Sequence, residues 1–171
     1  MDAETANAEA SVTSLMARLG DAETRVNAAA KSDPPTGLTE PDPGAEERWN
    51  VGQVWAHMAE FVPYWKLQLE KVFDRASAQP VPFGRVRTDP TRNAAIAAGV
   101  SAKPADVVGQ VTDSLAGVRA LAADKGPTDW SREGLHPTLG VMDARRMLER
   151  FLVTHLEEHA AQLERLAAAT T

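Results

Sequence analysis

The chain has 171 residues, a formal net charge of −6 and no cysteine, so it has the length of a single domain and excludes disulfides, thiolate metal sites and cysteine nucleophiles. Its lysines and arginines are scattered, which argues against a nucleic-acid partner, because phosphate backbones are bound by clustered positive charge. The acidic N-terminus is unlike a signal peptide and no apolar run is long enough to span a membrane, so we expect a cytoplasmic protein with no membrane partner.

The composition predicts an all-α chain. Only 5% of the residues are aromatic, and no window shows the sustained alternation of β-branched and polar residues that is typical of a strand. We predict a first helix from about Glu4 to Lys31, ended by the proline- and glycine-rich segment SDPPTGLTEPDPG. Its inward face, at three- and four-residue spacing, is Val12, Leu15, Met16, Leu19, Ala22, Val26 and Ala30.

A capping box predicts the start of the second helix. In the segment NVGQ, the Asn50 side chain can accept from the backbone N–H of Gln53, whose own side chain can reach back to Asn50. We expect this helix to run to about Ala76, with a bend at Pro63. Its inward face is Val54, His57, Phe61, Trp65 and Leu69.

A long connection, from Ser77 to Ala102, separates the second helix from the third. It should contain one or two helical turns, because Asp89 is a good N-cap and Pro90 suits the first helical position. A connection of this length is unusual between helices that merely turn back on each other. The third helix should run from about Pro104 to Asp124, with an inward face of Val108, Val111, Leu115, Val118 and Leu121.

A turn-rich link, KGPTDWSREGLHPTLG, leads to a fourth helix that we predict from about Met142 to Ala168. Four amphipathic helices of about 20 to 28 residues favour a four-helix bundle. The inward face of the fourth helix is Leu148, Phe151, Leu152, His155, His159, Leu163 and Leu166.

Three of the four histidines, His57, His155 and His159, lie on these apolar faces. Residues four apart on a helix point the same way, with Cβ atoms about 6 Å apart, so the pair on the fourth helix can bind one cation and His57 can complete the set. Neutral imidazole is a good ligand for zinc and its transition-metal neighbours. The alternative is that each is a core histidine satisfied by a carbonyl or a side chain. Because three separately satisfied imidazoles are harder to explain than one metal site, we expect a divalent metal.

The level of the histidines also predicts how the helices connect. His57 lies about 9 Å from the start of its helix, whereas His155 and His159 lie about 20 and 14 Å from the end of theirs, at 1.5 Å per residue. These levels match better if the second and fourth helices are antiparallel. An up-down-down-up bundle makes them antiparallel and requires a long crossover between helices two and three, which the segment from Ser77 to Ala102 supplies.

Two segments resemble the DinB/YfiT-like family. WNVGQVWAHMAEF resembles its second-helix signature, and GLHPTLGVMDARRMLERFLVTHLEEHAAQLERL resembles its last helix, with two histidines four apart and a following Gln-Leu. The resemblance implies a four-helix bundle with the long crossover, a nickel or zinc site with His57, His155 and His159 as ligands, and frequent homodimers. Related mycothiol- and bacillithiol-dependent transferases and maleylpyruvate isomerases share this bundle. Some of them have a glutamate where His155 stands, so the chain is more similar to the broader DinB-like group.

Three protein ligands leave a coordination position open, as catalytic sites do. A thiol bound there loses its proton near neutral pH and stays nucleophilic, so a cysteine-free protein could use a low-molecular-weight thiol for S-transferase or isomerase chemistry. A bound water would instead support hydrolysis. Glu60 and Glu158, each three residues after a histidine, are candidate catalytic residues that orient imidazoles or handle protons, and solvated surface acids are the alternative.

Three arginines of the crossover, Arg85, Arg87 and Arg92, are candidate substrate-binding residues. Guanidinium groups can bind the carboxylate of a substrate or of an acidic thiol bidentately, and solvated loop arginines are the alternative. His136 falls in the link before the fourth helix, which we expect at the opposite end of the bundle, so we do not count it as a ligand.

Three hypotheses follow. The first is a DinB-like metal-dependent enzyme that acts on a small-molecule substrate, through a thiol or as a hydrolase. The second is a metal- or ligand-binding, stress-related bundle without turnover, and the third is a structural bundle with buried histidines. Metal analysis separates the third hypothesis from the others, and a thiol-transfer assay separates the first two.

Overall fold

A computed structural model gives the architecture of residues 3–41, 47–74 and 79–170, with side chains described from Val12 onward. The chain is mostly helical and carries a small three-stranded sheet. The helices are α1 (Ala3–Lys31), α2 (Val51–Asp74), α3 (Pro90–Gly99), α4 (Pro104–Asp124), α5 (Pro127–Trp130), α6 (Ala144–Leu148) and α7 (Thr154–Thr170), with a π-helical segment, Glu149–Val153, between the last two. The strands are β1 (Val81–Pro82), β2 (Glu133–His136) and β3 (Gly140–Asp143).

Helix α2 begins at the predicted capping box. Asn50 Oδ1 accepts from the Gln53 backbone N–H at 3.0 Å, and Gln53 Oε1 accepts from the Asn50 backbone N–H at 3.0 Å. All five residues predicted on the inward face of α2 are buried. The helix continues through Pro63 to Asp74, and the predicted end at Ala76 lies outside the described residues.

Helix α4 has the predicted bounds, but its buried face is shifted at one position. Val107 is buried and Val108 only partly so. Val107 and Val108 stand four and three residues before the buried Val111, so both spacings fit the same helical stripe and the sequence alone does not separate them. Leu121, also predicted to face inward, is half-buried.

The expectation of an all-α chain is wrong in two connections. Strand β1 lies in the crossover, and strands β2 and β3 form a hairpin in the link before the fourth predicted helix. Strand β1 pairs in parallel with β2, which pairs antiparallel with β3, so the sheet joins the crossover to the link. Strands of two to four residues are too short for a period of two to be recognised in a sequence.

The fourth predicted helix starts later than expected and is not uniform. Met142 lies in β3, and the helix begins after Asp143, whose Oδ1 accepts from the Arg146 backbone N–H at 2.6 Å. The π-helical segment then precedes α7. Because a π turn holds an extra residue, it rotates the residues that follow it relative to those before it. The direction in which the α7 side chains point therefore depends on this segment.

Helices α1 and α7 run in the same direction. Arg18 Nη2 lies 2.7 Å from Glu157 Oε2, and two turns further along both helices Arg25 Nη2 lies 2.7 Å from Glu164 Oε2. Both pairs are partly exposed, so each should stabilise the fold by less than about 1 kcal/mol. Because both ion pairs join α1 to α7, they define the relative direction of the two helices.

Helices α2 and α7 run in opposite directions. Near the start of α2, the His57 ring lies against His155, with centroids 5.2 Å apart. Two turns further along α2, Trp65 stacks on Phe151, which precedes His155, with centroids 4.0 Å apart. The first turns of α2 thus meet the first half of α7. Within the described part of the chain, no helix is both long enough and apolar enough to cross a membrane.

Candidate metal centre

Three histidines from two antiparallel helices converge inside the protein. His57 of α2 and His155 and His159 of α7 each offer a ring nitrogen, and these atoms lie within 4.8 Å of one another. His57 and His159 are buried and His155 is half-buried. The convergence follows from the four-residue spacing on α7 and from the opposite directions of the two helices. Metal ligation by these residues stays a prediction.

Two aromatic side chains enclose the histidine group. Phe61, one turn after His57, has its ring centroid 4.4 to 5.5 Å from the three imidazole centroids. Trp49 lies parallel to the His159 ring at 6.3 Å and meets the His57 ring edge-on at 5.0 Å. Both aromatic residues are buried, so the imidazoles are shielded from water on these sides.

Trp49 was missed in the sequence analysis, although its position immediately before the helix cap is one where an apolar residue often packs back onto the helix. Its backbone N–H donates to Thr39 Oγ1 at 3.0 Å, and its carbonyl accepts from the Thr39 N–H at 2.8 Å. Thr39 is itself buried. These two hydrogen bonds fix the segment before α2 at the point where Trp49 covers the histidines.

Hydrogen bonds decide where the ring protons lie. Gln162 Oε1 lies 2.7 Å from His159 Nδ1, and an amide oxygen only accepts, so this nitrogen carries a proton and, in the neutral ring, Nε2 carries the lone pair. His57 Nε2 and His155 Nε2 lie 3.0 Å apart, which leaves room for one proton between them at most. Gln162 was not named from the sequence as a site residue, although the Gln-Leu after the second histidine was a usable signal.

Burial keeps the His57 and His155 imidazoles neutral. Desolvation is the main cause that lowers the pKa of His57 and of His155 well below the usual value of 6.5. The pKa of each is lowered further by His159 and by the positive charge of Arg92. A neutral imidazole presents a lone pair, which is the form that binds a metal.

The two candidate acids have different surroundings. Glu60 is partly buried beside the site, with Oε2 3.6 Å from His57 Nδ1, and its Oε1 accepts from the Arg85 guanidinium. Within the described residues, neither His57 Nδ1 nor Glu60 Oε2 makes a hydrogen bond, so a small rotation would join them. Glu158 is exposed and lines the wall of the cavity. Glu60 thus lies beside the His57 ring, whereas Glu158 lies on the cavity side of the site.

The histidines open onto a cavity of about 860 Å³ that also contacts Trp65 and Phe151. Pockets that bind small molecules are typically about 300–1,000 Å³, so the cavity has the size for a substrate. All three arginines predicted from the crossover line it, together with Arg150 and Arg165, which the sequence analysis missed. Spacing gave no signal for the latter two, because they stand five residues before His155 and six after His159, whereas residues on one helix face are three or four apart.

The three crossover arginines differ in their ion pairs and in their burial. Arg85 pairs with Glu60 and lies over the Tyr64 ring, with its Cζ 3.8 Å from the centroid. Arg87 is exposed and lies 3.5 Å from Glu47. Arg92 is half-buried, and desolvation is the main cause that lowers its pKa. A partly desolvated guanidinium is stabilised by an anion, so Arg92 is the best placed of the three to receive one.

His136 does not lie at the far end of the protein, contrary to the expectation from its position in the link. It is buried and lines the same cavity as the three converging histidines, with its ring stacked on Phe151 at 5.4 Å and on Trp65 at 6.2 Å. The reason is that the hairpin packs His136 against Trp65 of α2 and Phe151 of the π-helical segment. His136 is outside the group of three that could hold a metal in the described chain.

The donor set suits a divalent metal. Metal–nitrogen bonds of about 2.1 Å place two neighbouring ligand nitrogens of one ion roughly 3 to 3.4 Å apart, and the His57 and His155 Nε2 atoms lie at 3.0 Å. Two imidazole nitrogens at this separation can share one proton or bind one ion. Three histidine nitrogen donors with a cavity beside them match a site with an open coordination position.

Comparison with known proteins gives one family and one fold. The sequence model of the DinB superfamily matches residues 4–163. No curated protein matches. A crystal structure of a mutant of mycothiol-dependent maleylpyruvate isomerase has a similar fold, with a TM-score of 0.65 and 15% sequence identity. The match covers 89% of this chain and 60% of that one, so this chain spans less than two thirds of the length of the isomerase.

Proposed function

This chain belongs to the DinB superfamily, and from that membership we propose that it is a divalent-metal-dependent enzyme that activates a low-molecular-weight thiol for S-transferase or isomerase chemistry. One observation carries the proposal: three histidine side chains converge on a cavity of substrate size. The similar fold of a mycothiol-dependent isomerase supports thiol chemistry as the reaction class.

His57, His155 and His159 would hold the ion, for which zinc and nickel are the proposed metals. A bound divalent ion supplies the positive charge that favours the ionised form of a thiol near neutral pH. Gln162 holds the proton at His159 Nδ1 and so keeps the other nitrogen of that ring available. Phe61 and Trp49 exclude water from the buried side of the site.

The remaining cavity residues would bind and orient an anionic substrate. Arg92 and Arg87 are the proposed carboxylate-binding residues, whereas the charge of Arg85 is already compensated by Glu60. Glu60, 3.6 Å from His57 Nδ1, would orient that imidazole. Glu158 lines the cavity, where it would accept or return a proton at the substrate.

We also infer that the long helices α1, α2, α4 and α7 form an up-down-down-up bundle. The parallel contacts of α1 with α7 and the antiparallel contacts of α2 with α7 support this connectivity. In this arrangement the connection between α2 and α4 serves as the long crossover, and its arginines line the cavity.

The test uses the protein loaded with cobalt, whose spectrum reports sulfur ligation. Addition of mycothiol, bacillithiol or glutathione should produce a sulfur-to-metal charge-transfer band and release a proton, because coordination favours the thiolate. The His155→Ala variant, treated in the same way, is the matched control and should show no band. A wild-type protein that binds cobalt but shows no band with any of the three thiols would exclude thiol activation and leave a metal-binding bundle or a hydrolase.

A further inference from the structure

His136 is the one buried histidine that the proposed mechanism does not use, and it contacts the end of the crossover strand. Its ring meets Phe83 edge-on, with centroids 5.4 Å apart. At Gly84 the approach is closer still, since a Cβ atom there would overlap the imidazole and lie 2.9 Å from Nε2. Gly84 also has a φ of +77°, which glycine adopts far more easily than other residues. The His136 ring is therefore in close contact with the end of the crossover strand, and a side chain larger than that of glycine at position 84 would overlap it.

The hairpin fixes the proton positions on His136. Its Nδ1 faces the backbone N–H groups of Thr138 and Leu139, both at 3.3 Å, so this nitrogen is the acceptor and Nε2 carries the proton. A hydrogen bond with the Arg85 backbone raises the pKa of His136. One imidazole thus joins the β2–β3 turn to the backbone of the crossover.

Two further hydrogen bonds hold the same segment. The Phe83 N–H donates to the Leu135 carbonyl at 3.1 Å, and the Gly84 N–H donates to Gln68 Oε1 of α2 at 2.9 Å. Residues 83–85 are thereby tied to β2, to α2 and to His136. This segment places the Arg85 side chain beside Glu60, with which it forms an ion pair.

We propose that His136 is a positioning residue: it fixes the Gly84–Arg85 backbone so that the Arg85 guanidinium pairs with Glu60 and Glu60 stands behind His57. His136 acts through these residues and lies outside the group of three histidines. The inference rests on the proposed function only in treating His57 as part of the site, because the contacts from His136 to Glu60 are present without any metal.

The experiment compares ¹⁵N-labelled, metal-free wild type with the variants His136→Phe and His136→Gln. Phenylalanine keeps a ring but loses both hydrogen bonds, so exchange of the Gly84 and Phe83 amides should accelerate by about tenfold or more. The Arg85 Nε–H resonance should move towards that of a free guanidinium, and the His57 ring nitrogens should report a changed tautomer mixture. Glutamine keeps a donor and an acceptor and should restore all three signals.

A variant at Gly84, on the other side of the same contact, distinguishes the loss of this contact from a general loss of stability. Gly84→Ala should reproduce the His136→Phe signals, because its Cβ displaces the ring, whereas Gly109→Ala, in open space on α4, should leave them unchanged. The inference is overturned if His136→Phe keeps the wild-type Arg85 and His57 signals, or if amides across the whole core, including that of Leu115, accelerate equally. Absence of metal binding would refute the proposed function and leave these NMR outcomes unaffected.

Discussion

His57 Nε2 lies 3.0 Å from His155 Nε2, although the two residues are 98 positions apart in the chain. Both imidazoles have a pKa well below the usual value because burial disfavours their charged form. Two neutral rings with facing nitrogens form a compact donor pair, which His159 from the next turn of α7 extends to three.

Removal of any one of the three imidazoles should abolish stoichiometric metal binding. The variants His57→Ala, His155→Ala and His159→Ala each leave two protein ligands, too few for a stable site of this type. Metal content per chain, measured after dialysis against a weak chelator, should fall from about one to near zero. His136→Gln, which changes a histidine outside the group, should retain its metal. Equal metal content in all four variants would show that the ligands lie elsewhere.

Gln162 should increase the metal affinity of the site without being a ligand. Replacing it with leucine removes the acceptor at 2.7 Å from His159 Nδ1, so the ring is free to adopt the other tautomer. Loss of such an outer partner typically costs about 10–100-fold in metal affinity, and a competition titration with a chromophoric chelator measures it. The control Gln110→Leu, on the exposed face of α4, should leave the affinity unchanged. An unchanged affinity in Gln162→Leu would mean that the tautomer is set by another contact.

The capping box should stabilise the start of α2, on which His57 sits. Asn50→Ala removes the acceptor for the Gln53 N–H and should lower the free energy of unfolding by about 1 kcal/mol. For a chain of this size that corresponds to a fall in Tm of about 2–4 °C. Gln53→Ala, alone and combined with Asn50→Ala, completes a double-mutant cycle. Strict additivity of the two losses would indicate that the reciprocal hydrogen bonds do not act together.

Stability should depend on pH through His136. Burial is the main cause that lowers its pKa, partly offset by the hydrogen bond with the Arg85 backbone, and the nearby Arg150 charge lowers it further. The unfolded chain, with an ordinary pKa of 6.5, therefore binds the proton more readily than the folded chain. The stabilisation is complete above pH 6.5 and is lost as pH falls from there through the lower folded value, at up to about 1.4 kcal/mol per pH unit.

The measurement is a set of urea denaturation curves of metal-free protein between neutral and mildly acidic pH. Wild type and His136→Gln both contain the other buried histidines, so the difference between their slopes isolates His136. The wild type should lose stability more steeply on acidification. Parallel curves for the two proteins would show that His136 carries the same proton in the folded and unfolded states.

Local features of the chain were readable from the sequence. The Asn50–Gln53 box, the Asp89 cap with Pro90 behind it, and the bounds of α4 all depend on side chains a few residues apart, and the structure has them as predicted. The inward placement of the three histidines follows from helical periodicity, which is also local. Family membership was indicated by the second- and last-helix motifs and is confirmed by the match over residues 4–163.

The tertiary structure alone decided how the connections complete the site. Strand β1 exists because it pairs with β2, more than fifty residues later in the chain, and two residues carry no periodicity by which a strand could be recognised. The same pairing brings His136 to Gly84 and Arg85 to Glu60. Trp49 covers the histidines because Thr39 holds it there. These contacts join residues that are distant in sequence, and their energies depend on burial and distance in the folded chain, which no local pattern encodes.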